Sequence, residues 1–415
     1  MVHDRRIALL CQHFYPEMIS TGMHMTELAL GLTRVGWEVT VYCAQPTLNL
    51  ESDNQAVPER LLYQGISIVR VPTIGSHGKG LFGRFLFALS YLVFTAWTIL
   101  RERHDIRVML ITTNPPFIGI VGRMLKWWIG KPYALLVYDV YPDIAVQLGV
   151  MSSESILTWF WERLTRFMLN GAQRIVVIGR DMSTVIGRKL NASNQHKLIL
   201  IPNWSDEESV QPVDKLANSF RAEHINNSDT LLVQYSGRMA RTHNLEPLIE
   251  AAELLQDTNV IFQFIGDGAK KQTLQAIAIE RGLTNIQFLP YQPLSRLNEV
   301  LSAADLAVVC LGSAFTGLSV PSKAYGIMAS GTPILGLVAQ ESETGKMIIE
   351  TDCGVVLPNP TGLEVAKFIE MLHGQPERRE QMGQNGYVAF QQSYTLTLAA
   401  QRYNDMLAEL LQDPY

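Results

Sequence analysis

Arg238 and Arg241 stand in the run Ser236-Gly237-Arg238-Met239-Ala240-Arg241, which follows an apolar segment. Each guanidinium is a permanently charged fork that matches a pair of phosphate oxygens, and Gly237 lets the backbone approach a ligand closely. A plain surface pair of arginines is the alternative account. A second run, Gly312 to Pro333, is rich in Gly, Ser and Thr and carries Ser322 and Lys323. Small residues expose backbone N–H groups to a diphosphate, and a lysine in the first turn of a helix expected from about Pro321 adds charge. A third run, Tyr138-Asp139-Val140-Tyr141-Pro142-Asp143, sets two carboxylates four residues apart beyond an apolar strand. Such groups bind sugar hydroxyls or accept a proton, although Asp143 serves equally well as a helix cap. In the loop Phe14 to Gly22, Gly22 falls just before an expected helix N-terminus, which favours a phosphate or sugar oxygen. A structural turn explains that loop as well.

What is missing narrows the chemistry. No GxGxxG follows the first strand, and no GxxxxGK[ST], DxD or Ser–His–Asp signature occurs. The nine histidines lack metal-ligand spacing. Neither a metal nor another cofactor is expected, so cations and backbone dipoles must meet the charge of a leaving group. A net charge of −5 argues against a nucleic-acid partner. Cys11, Cys43, Cys310 and Cys353 are far apart, and Ile7 to Cys11 is too short an apolar run for a secretory leader. Reduced thiols and a cytoplasmic location are the expectation.

The elements that must position these groups alternate regularly. Apolar runs at Ile7–Cys11, Val39–Tyr42, Val108–Ile111, Ala134–Val137, Arg174–Ile178 and Leu198–Ile201 read as strands, with helices between them. Pro202 to Pro212 has no apolar period and reads as a linker. The alternation then restarts at Leu231–Tyr235, Val260–Ile265, Ile286–Leu289, Leu306–Cys310 and Pro333–Leu337. The pattern predicts an α/β protein of two doubly wound parallel sheets, ligands binding in a cleft at the carboxyl ends of the strands. The expected boundaries are 1–203 for a first domain, 204–212 for a linker, 213–390 for a second domain and 391–415 for a final helix.

Charge is unevenly spread. Lys79, Arg84, Arg101, Arg103, Arg107, Arg123, Lys126 and Lys131 outnumber Glu102 and Asp105, and Trp97, Trp127 and Trp128 lie among them. Such a stretch suits peripheral contact with an anionic membrane, and equally a solvated face beside a buried helix. Phe85 to Leu100 carries no charge but is shorter than the roughly twenty residues that span a bilayer.

Taken in order, the opening loop with Gly22, Tyr138 to Asp143, Ile201-Pro202-Asn203-Trp204, Gly237-Arg238, Phe264-Ile265-Gly266-Asp267-Gly268 and Ser319 to Pro333 resemble the retaining glycosyltransferases of family 4. The likeness is strongest to bacterial members that build polysaccharide repeat units on a polyprenyl diphosphate. The resemblance implies a GT-B fold whose final helix crosses back to the first domain. It implies a hexose donor, UDP-glucose by preference, and a lipid-linked or oligosaccharide acceptor at the inner face of the cell membrane. Gly22 would lie near the donor diphosphate, and Asp139 with Tyr138 near the donor sugar. Arg238 and Arg241 would bind the diphosphate, and Gly266, Pro290 and Tyr291 would line the base. Gly317, Leu318, Ser319 and Val320 would offer backbone groups, beside Ser322 and Lys323. The glutamate pair usual in the family is replaced by Leu318 and Gly326, and Glu343 is the candidate substitute. His243-Asn244 stands where Lys-Gly is common. Two other readings remain open: a GT-B sugar-nucleotide 2-epimerase, and a non-catalytic subunit that binds a nucleotide sugar.

Overall fold

The computed structural model describes residues 4–17, 20–46, 57–74 and 80–412. Met18, Ile19 and Lys79, expected in the opening loop and the basic stretch, lie outside the described residues. The chain divides into two compact units, residues 1–202 with 396–415, and residues 203–395.

The first unit runs β1 (Arg6–Leu10), α1 (Ser20–Arg34), β2 (Glu38–Ala44), β3 (Arg60–Tyr63), β4 (Ile66–Val71), α2 (Gly80–Arg101), β5 (Val108–Thr112), α3 (Ile118–Ile129), β6 (Tyr133–Val137), α4 (Asp143–Gln147), α5 (Ile156–Gly171), β7 (Arg174–Val177), α6 (Arg180–Gly187) and β8 (Leu198–Leu200). Its eight strands lie in the order β3-β4-β2-β1-β5-β6-β7-β8. All neighbours are parallel except β3, which is antiparallel to β4. Continuous burial along β5 and β6 explains why both read as unbroken apolar runs. The β3–β4 hairpin was not expected. Its turn is Gln64-Gly65, both at positive φ (48° and 86°), as a two-residue hairpin requires.

The second unit contains α7 (Ser219–His224), β9 (Leu231–Ser236), α8 (Glu246–Leu254), β10 (Val260–Ile265), α9 (Lys271–Glu280), β11 (Ile286–Leu289), α10 (Leu297–Ser302), β12 (Leu306–Cys310), α11 (Lys323–Ala329), β13 (Ile334–Leu337), α12 (Glu343–Thr351), β14 (Gly354–Val356), α13 (Gly362–His373) and α14 (Pro376–Ser393). Its sheet, β11-β10-β9-β12-β13-β14, is wholly parallel. Strand residues alternate between two cores: Val308 and Cys310 join Phe262 and Phe264, whereas Ala307 and Val309 join Tyr325 and Phe390. That two-sided burial identifies the doubly wound arrangement.

Two boundaries differ from expectation. The stretch expected as a free linker packs into the second unit, with Trp204 and Val210 buried and Ser205 N–H donating to Tyr394 O at 3.1 Å. The second unit also continues to Thr395, where α14 gives way to α15 (Leu396–Gln412). Helix α15 packs on α1 in the first unit. A Cβ on Gly31 would stand 2.8 Å from that of Ala400, and Trp37 Nε1 donates to Asn404 Oδ1 at 3.0 Å.

The uncharged Phe85 to Leu100 lies within α2, whose Tyr91 hydroxyl donates to Cys11 O at 2.8 Å and Tyr42 O at 3.0 Å. No described helix is long and apolar enough to cross a membrane.

Candidate functional site

In the second unit, the loops that leave β9, β10 and β11 stack at one edge of the sheet. Gly237 N–H donates to Ile265 O at 2.9 Å, Gly266 N–H to Leu289 O at 3.0 Å and Met239 N–H to Asp267 O at 2.8 Å. Gly266 has φ 127°, and a Cβ there would meet Gly237 O at 2.3 Å and the Tyr291 ring at 3.2 Å. Only glycine fits so close an approach. Gly266, Gly237 and Tyr291 are therefore brought together, with Pro290 beside Tyr291 at the end of β11. The Tyr291 ring stays 56% exposed, an open flat face at the sheet edge.

Lys323 enters this edge from the first position of α11. Its Nζ lies 3.6 Å from the centroid of the Tyr235 ring and would stand 3.0 Å from a Cβ on Gly237. That Nζ is buried and has no hydrogen-bond partner. Burial lowers the Lys323 pKa from 10.5 to about 7, with only the Cys310 thiol acting the other way. A buried ammonium whose nearest partner is an aromatic face, with no carboxylate, is prepared for an incoming anion. The Tyr235 hydroxyl lies 2.6 Å from Arg238 O and 2.7 Å from His243 Nδ1. Burial, followed by the charge on Lys323, pushes His243 down to about 3, so its imidazole is neutral at pH 7.

Arg238 and Arg241 are exposed, and neither side chain makes an ion pair or hydrogen bond to another described residue. Arg238 acts electrostatically on both His243 and Tyr291, which places it at the same edge. Arg241 shares the loop, but no described contact ties it to Lys323.

The Leu318 and Val320 side chains are buried in the unit, leaving only their backbones to face a ligand. Gly317 sits at φ 75°. Ser322 precedes α11, which starts at Lys323 rather than at Pro321 and runs only seven residues, about two turns. A Cβ at Gly326 would lie 3.2 Å from Leu301 Cδ1, so a longer side chain there would press on the packed interior. Glu343 opens α12 beyond β13 and is buried. Sequence reasoning passed over Tyr235; the pairing of a strand-end tyrosine with a distant lysine leaves no local pattern.

In the first unit, Asp139 follows β6 half-buried. Thr113 Oγ1 fixes the turn, accepting from Tyr138 N–H at 3.2 Å and donating to Asp139 O at 3.3 Å. Asp139 sits on the rim of a small open hollow walled by Phe117, Val140, Tyr141, Trp161 and Met168. Phe117 holds φ 76°, a strained conformation for a bulky residue. Trp161 Nε1 is buried there without an acceptor.

Two expectations fail in this unit. The Tyr138 ring is buried against α1, its hydroxyl 4.0 Å from Met25 Sδ, so it packs rather than meeting a sugar. Gly22 lies inside the first turn of α1 rather than before it, and a Cβ there would meet Glu17 O at 2.6 Å. Close packing of the loop on the helix explains this glycine. Asp143 is tied to Lys189 at 2.7 Å, and Lys189 also reaches Glu162 at 2.6 Å. A buried pair of His13 Nδ1 and Glu17 Oε2, 2.6 Å apart, completes the opening loop.

These features have counterparts among known proteins. Sucrose-phosphate synthase from Thermosynechococcus elongatus superposes with a TM-score of 0.80 at 17% identity, over 98% of this chain and 99% of that one. Anabaena HepE in complex with UDP-glucose gives 0.70 at 13% identity, over 98% and 100%. The fold is that of the GT-B glycosyltransferases. The model "Glycosyl transferase 4-like domain" matches residues 21–204, and "Glycosyl transferases group 1" matches residues 217–389. The chain belongs to this glycosyltransferase family, of the family 4 type. It is 33% identical over 266 residues to "Probable glycosyltransferase WbjE" of Pseudomonas aeruginosa, a match spanning 63% of this chain and 65% of that protein's length. It is 26% identical over 357 residues to "Putative colanic acid biosynthesis glycosyl transferase WcaI" of Escherichia coli K12, spanning 83% and 86%.

Proposed function

We propose that this protein transfers a hexose, by preference glucose from UDP-glucose, to a polysaccharide or lipid-linked acceptor in cell-surface polysaccharide synthesis. Transfer retains configuration and needs no metal. The second unit holds the donor, the first unit serves the acceptor, and the work is done at the cytoplasmic face of the membrane. The observation that carries this reading is Lys323, a buried, unpartnered ammonium reaching the backbone of the arginine loop. The names of WbjE and WcaI and the UDP-glucose bound to HepE support it.

In this mechanism Lys323, Arg238 and Arg241 bind the diphosphate, while the flat Tyr291 face and the backbone at Gly266 receive the base. The bond from C1 to the diphosphate oxygen breaks toward an oxocarbenium-like state. The electron pair leaves with UDP, where the three cations stabilise it by a few kcal/mol each. The acceptor hydroxyl attacks C1 on the side the diphosphate leaves, and its proton passes to the departing phosphate oxygen. Asp139 is assigned to the sugar hydroxyls.

A thermal-shift and hydrolysis panel over UDP-, GDP- and ADP-sugars tests the donor, with EDTA present to test metal independence. The expected result is stabilisation by UDP-sugars and UDP release that collapses in Arg238→Ala/Arg241→Ala. Undiminished turnover in that double variant would remove the arginines from the mechanism.

A further inference from the structure

The first unit presents an apolar surface that its own core does not use. Helix α5 is two-faced. Trp161 and Met168 turn inward to the hollow beside Asp139, while Ile156, Phe160, Arg163 and Phe167, spaced four, three and four apart, are exposed. Ile156 is 85% and Leu157 63% exposed, and Trp159 stands beside them at 60%. Ser155 caps this end, accepting from Thr158 N–H at 3.1 Å, so the large apolar side chains are displayed on an ordered first turn.

The neighbouring helices continue the pattern. Helix α3 lies along α5, with Gly119 against Met168 and the Arg123 guanidinium 4.6 Å from the Phe167 ring centroid. It leaves Met124, Trp127 and Trp128 exposed, Trp127 at 83%. Helix α2 packs on α3 and exposes Leu89, Val93 and Trp97 at four-residue spacing. Isolated exposed apolar residues are ordinary in a folded protein; stripes on three adjacent helices are not.

Charge identifies what covers them. Arg101 lies 4.6 Å from the Trp97 centroid and Arg163 5.2 Å from that of Trp159, so aromatic and cation share one patch. Lys126 and Lys131 add further positive charge. Helix α2 contains no acidic residue, and the one in α5, Glu162, is engaged by Lys189 at 2.6 Å and by Arg166 at 2.8 Å. Tryptophan and arginine over an apolar stripe match the boundary between anionic headgroups and acyl chains.

We propose that α2, α3 and α5 dock the first unit on an anionic bilayer surface, with Ile156, Leu157, Trp159 and Phe160 entering the headgroup–acyl boundary. The proposal deepens the membrane-face reading given above and rests on it for its biological sense. The helix that meets lipid then also walls the hollow beside Asp139, which brings a lipid-borne acceptor to the first unit without crossing bulk water.

The test is cosedimentation of the full chain with vesicles of phosphatidylethanolamine, with and without phosphatidylglycerol. Wild type is expected to sediment with the phosphatidylglycerol vesicles and to release as salt rises. Ile156→Gln/Leu157→Gln/Trp159→Gln/Phe160→Gln is expected to lower partitioning roughly tenfold or more. Its melting temperature and its UDP affinity, a property of the second unit, are expected to stay unchanged. Sedimentation of the variant equal to wild type, or wild type remaining in the supernatant, would overturn the proposal. So would a concentration-dependent dimer that the variant abolishes, since that assigns the face to a second copy. Vesicle binding is read without nucleotide, so a failure of the transfer reaction leaves this outcome independent.

Discussion

Replacing Lys323 by methionine keeps the length of the side chain and removes its charge, so it isolates what the ammonium does. In the empty protein Lys323 titrates at about 7 rather than 10.5 because its Nζ is desolvated. At ~1.36 kcal/mol per pH unit, that difference costs the charged form about 5 kcal/mol. A diphosphate docking on Nζ offsets the cost and returns the pKa toward its ordinary value. Binding of UDP should then take up about half a proton at pH 7 and nearly a whole one at pH 9. Affinity should fall as pH rises over that interval. The fall is bounded by the ~10- to 100-fold that a hydrogen bond to a charged group contributes. Stability has the opposite sign. Between pH 7 and 10.5 the unfolded chain holds a proton that the folded one lacks, so the penalty is full below pH 7 and vanishes above 10.5. Lys323→Met should therefore melt higher than wild type at pH 7, the difference closing toward pH 10.5. It should also bind UDP ~10- to 100-fold more weakly. Titration calorimetry in two buffers of different ionisation enthalpy reads the proton uptake directly. Equal UDP affinity and equal uptake in the two proteins would refute the reasoning.

Further substitutions probe the rest of the framework. Gly266→Ala places a Cβ 2.3 Å from Gly237 O at φ 127°, a strain of ~1–3 kcal/mol, and is expected to lower the melting temperature and weaken UDP binding together. Asp305 is buried, which raises its pKa, yet Lys215 at 2.5 Å and Arg221 at 2.8 Å outweigh that and hold it below its ordinary value. Asp305→Asn strands those cations at a cost of ~3–5 kcal/mol, measurable by denaturant unfolding; an unchanged midpoint would contradict it. Because Asp305 is lowered, its contribution is present above pH 4 and lost as pH falls through its folded pKa. Asp139→Asn should cut transfer ~10- to 100-fold, the worth of a hydrogen bond to a charged group, while UDP affinity stays within about twofold, as kinetics and calorimetry would show.

The parallel strands were legible in the sequence because burial on both sheet faces demands unbroken apolar runs, as in Val260–Ile265 and Leu306–Cys310. The β3–β4 hairpin was not, since its edge strand exposes Leu62 and its turn is Gln-Gly rather than Asn-Gly. Charge type drew attention to Arg238 at a strand end and to Lys323 in the first turn of an expected helix. The cation–π seat of Lys323 on Tyr235 depends on α11 meeting β9 in space, which no local spacing records. Tyr138 misled for the related reason that a residue beside a candidate acid can point into the core. In α5 both faces carry large apolar side chains, so periodicity marked the helix as amphipathic without telling which stripe is buried.

The central claim is that the second unit holds a nucleoside diphosphate through Lys323 and the arginine loop. A crystal structure of the protein with UDP tests it most directly. The account predicts a phosphate oxygen within about 3 Å of Lys323 Nζ, charge-assisted contacts from Arg238, and uracil against Tyr291. A diphosphate bound away from Lys323, with Nζ still unpartnered over the Tyr235 ring, would contradict it.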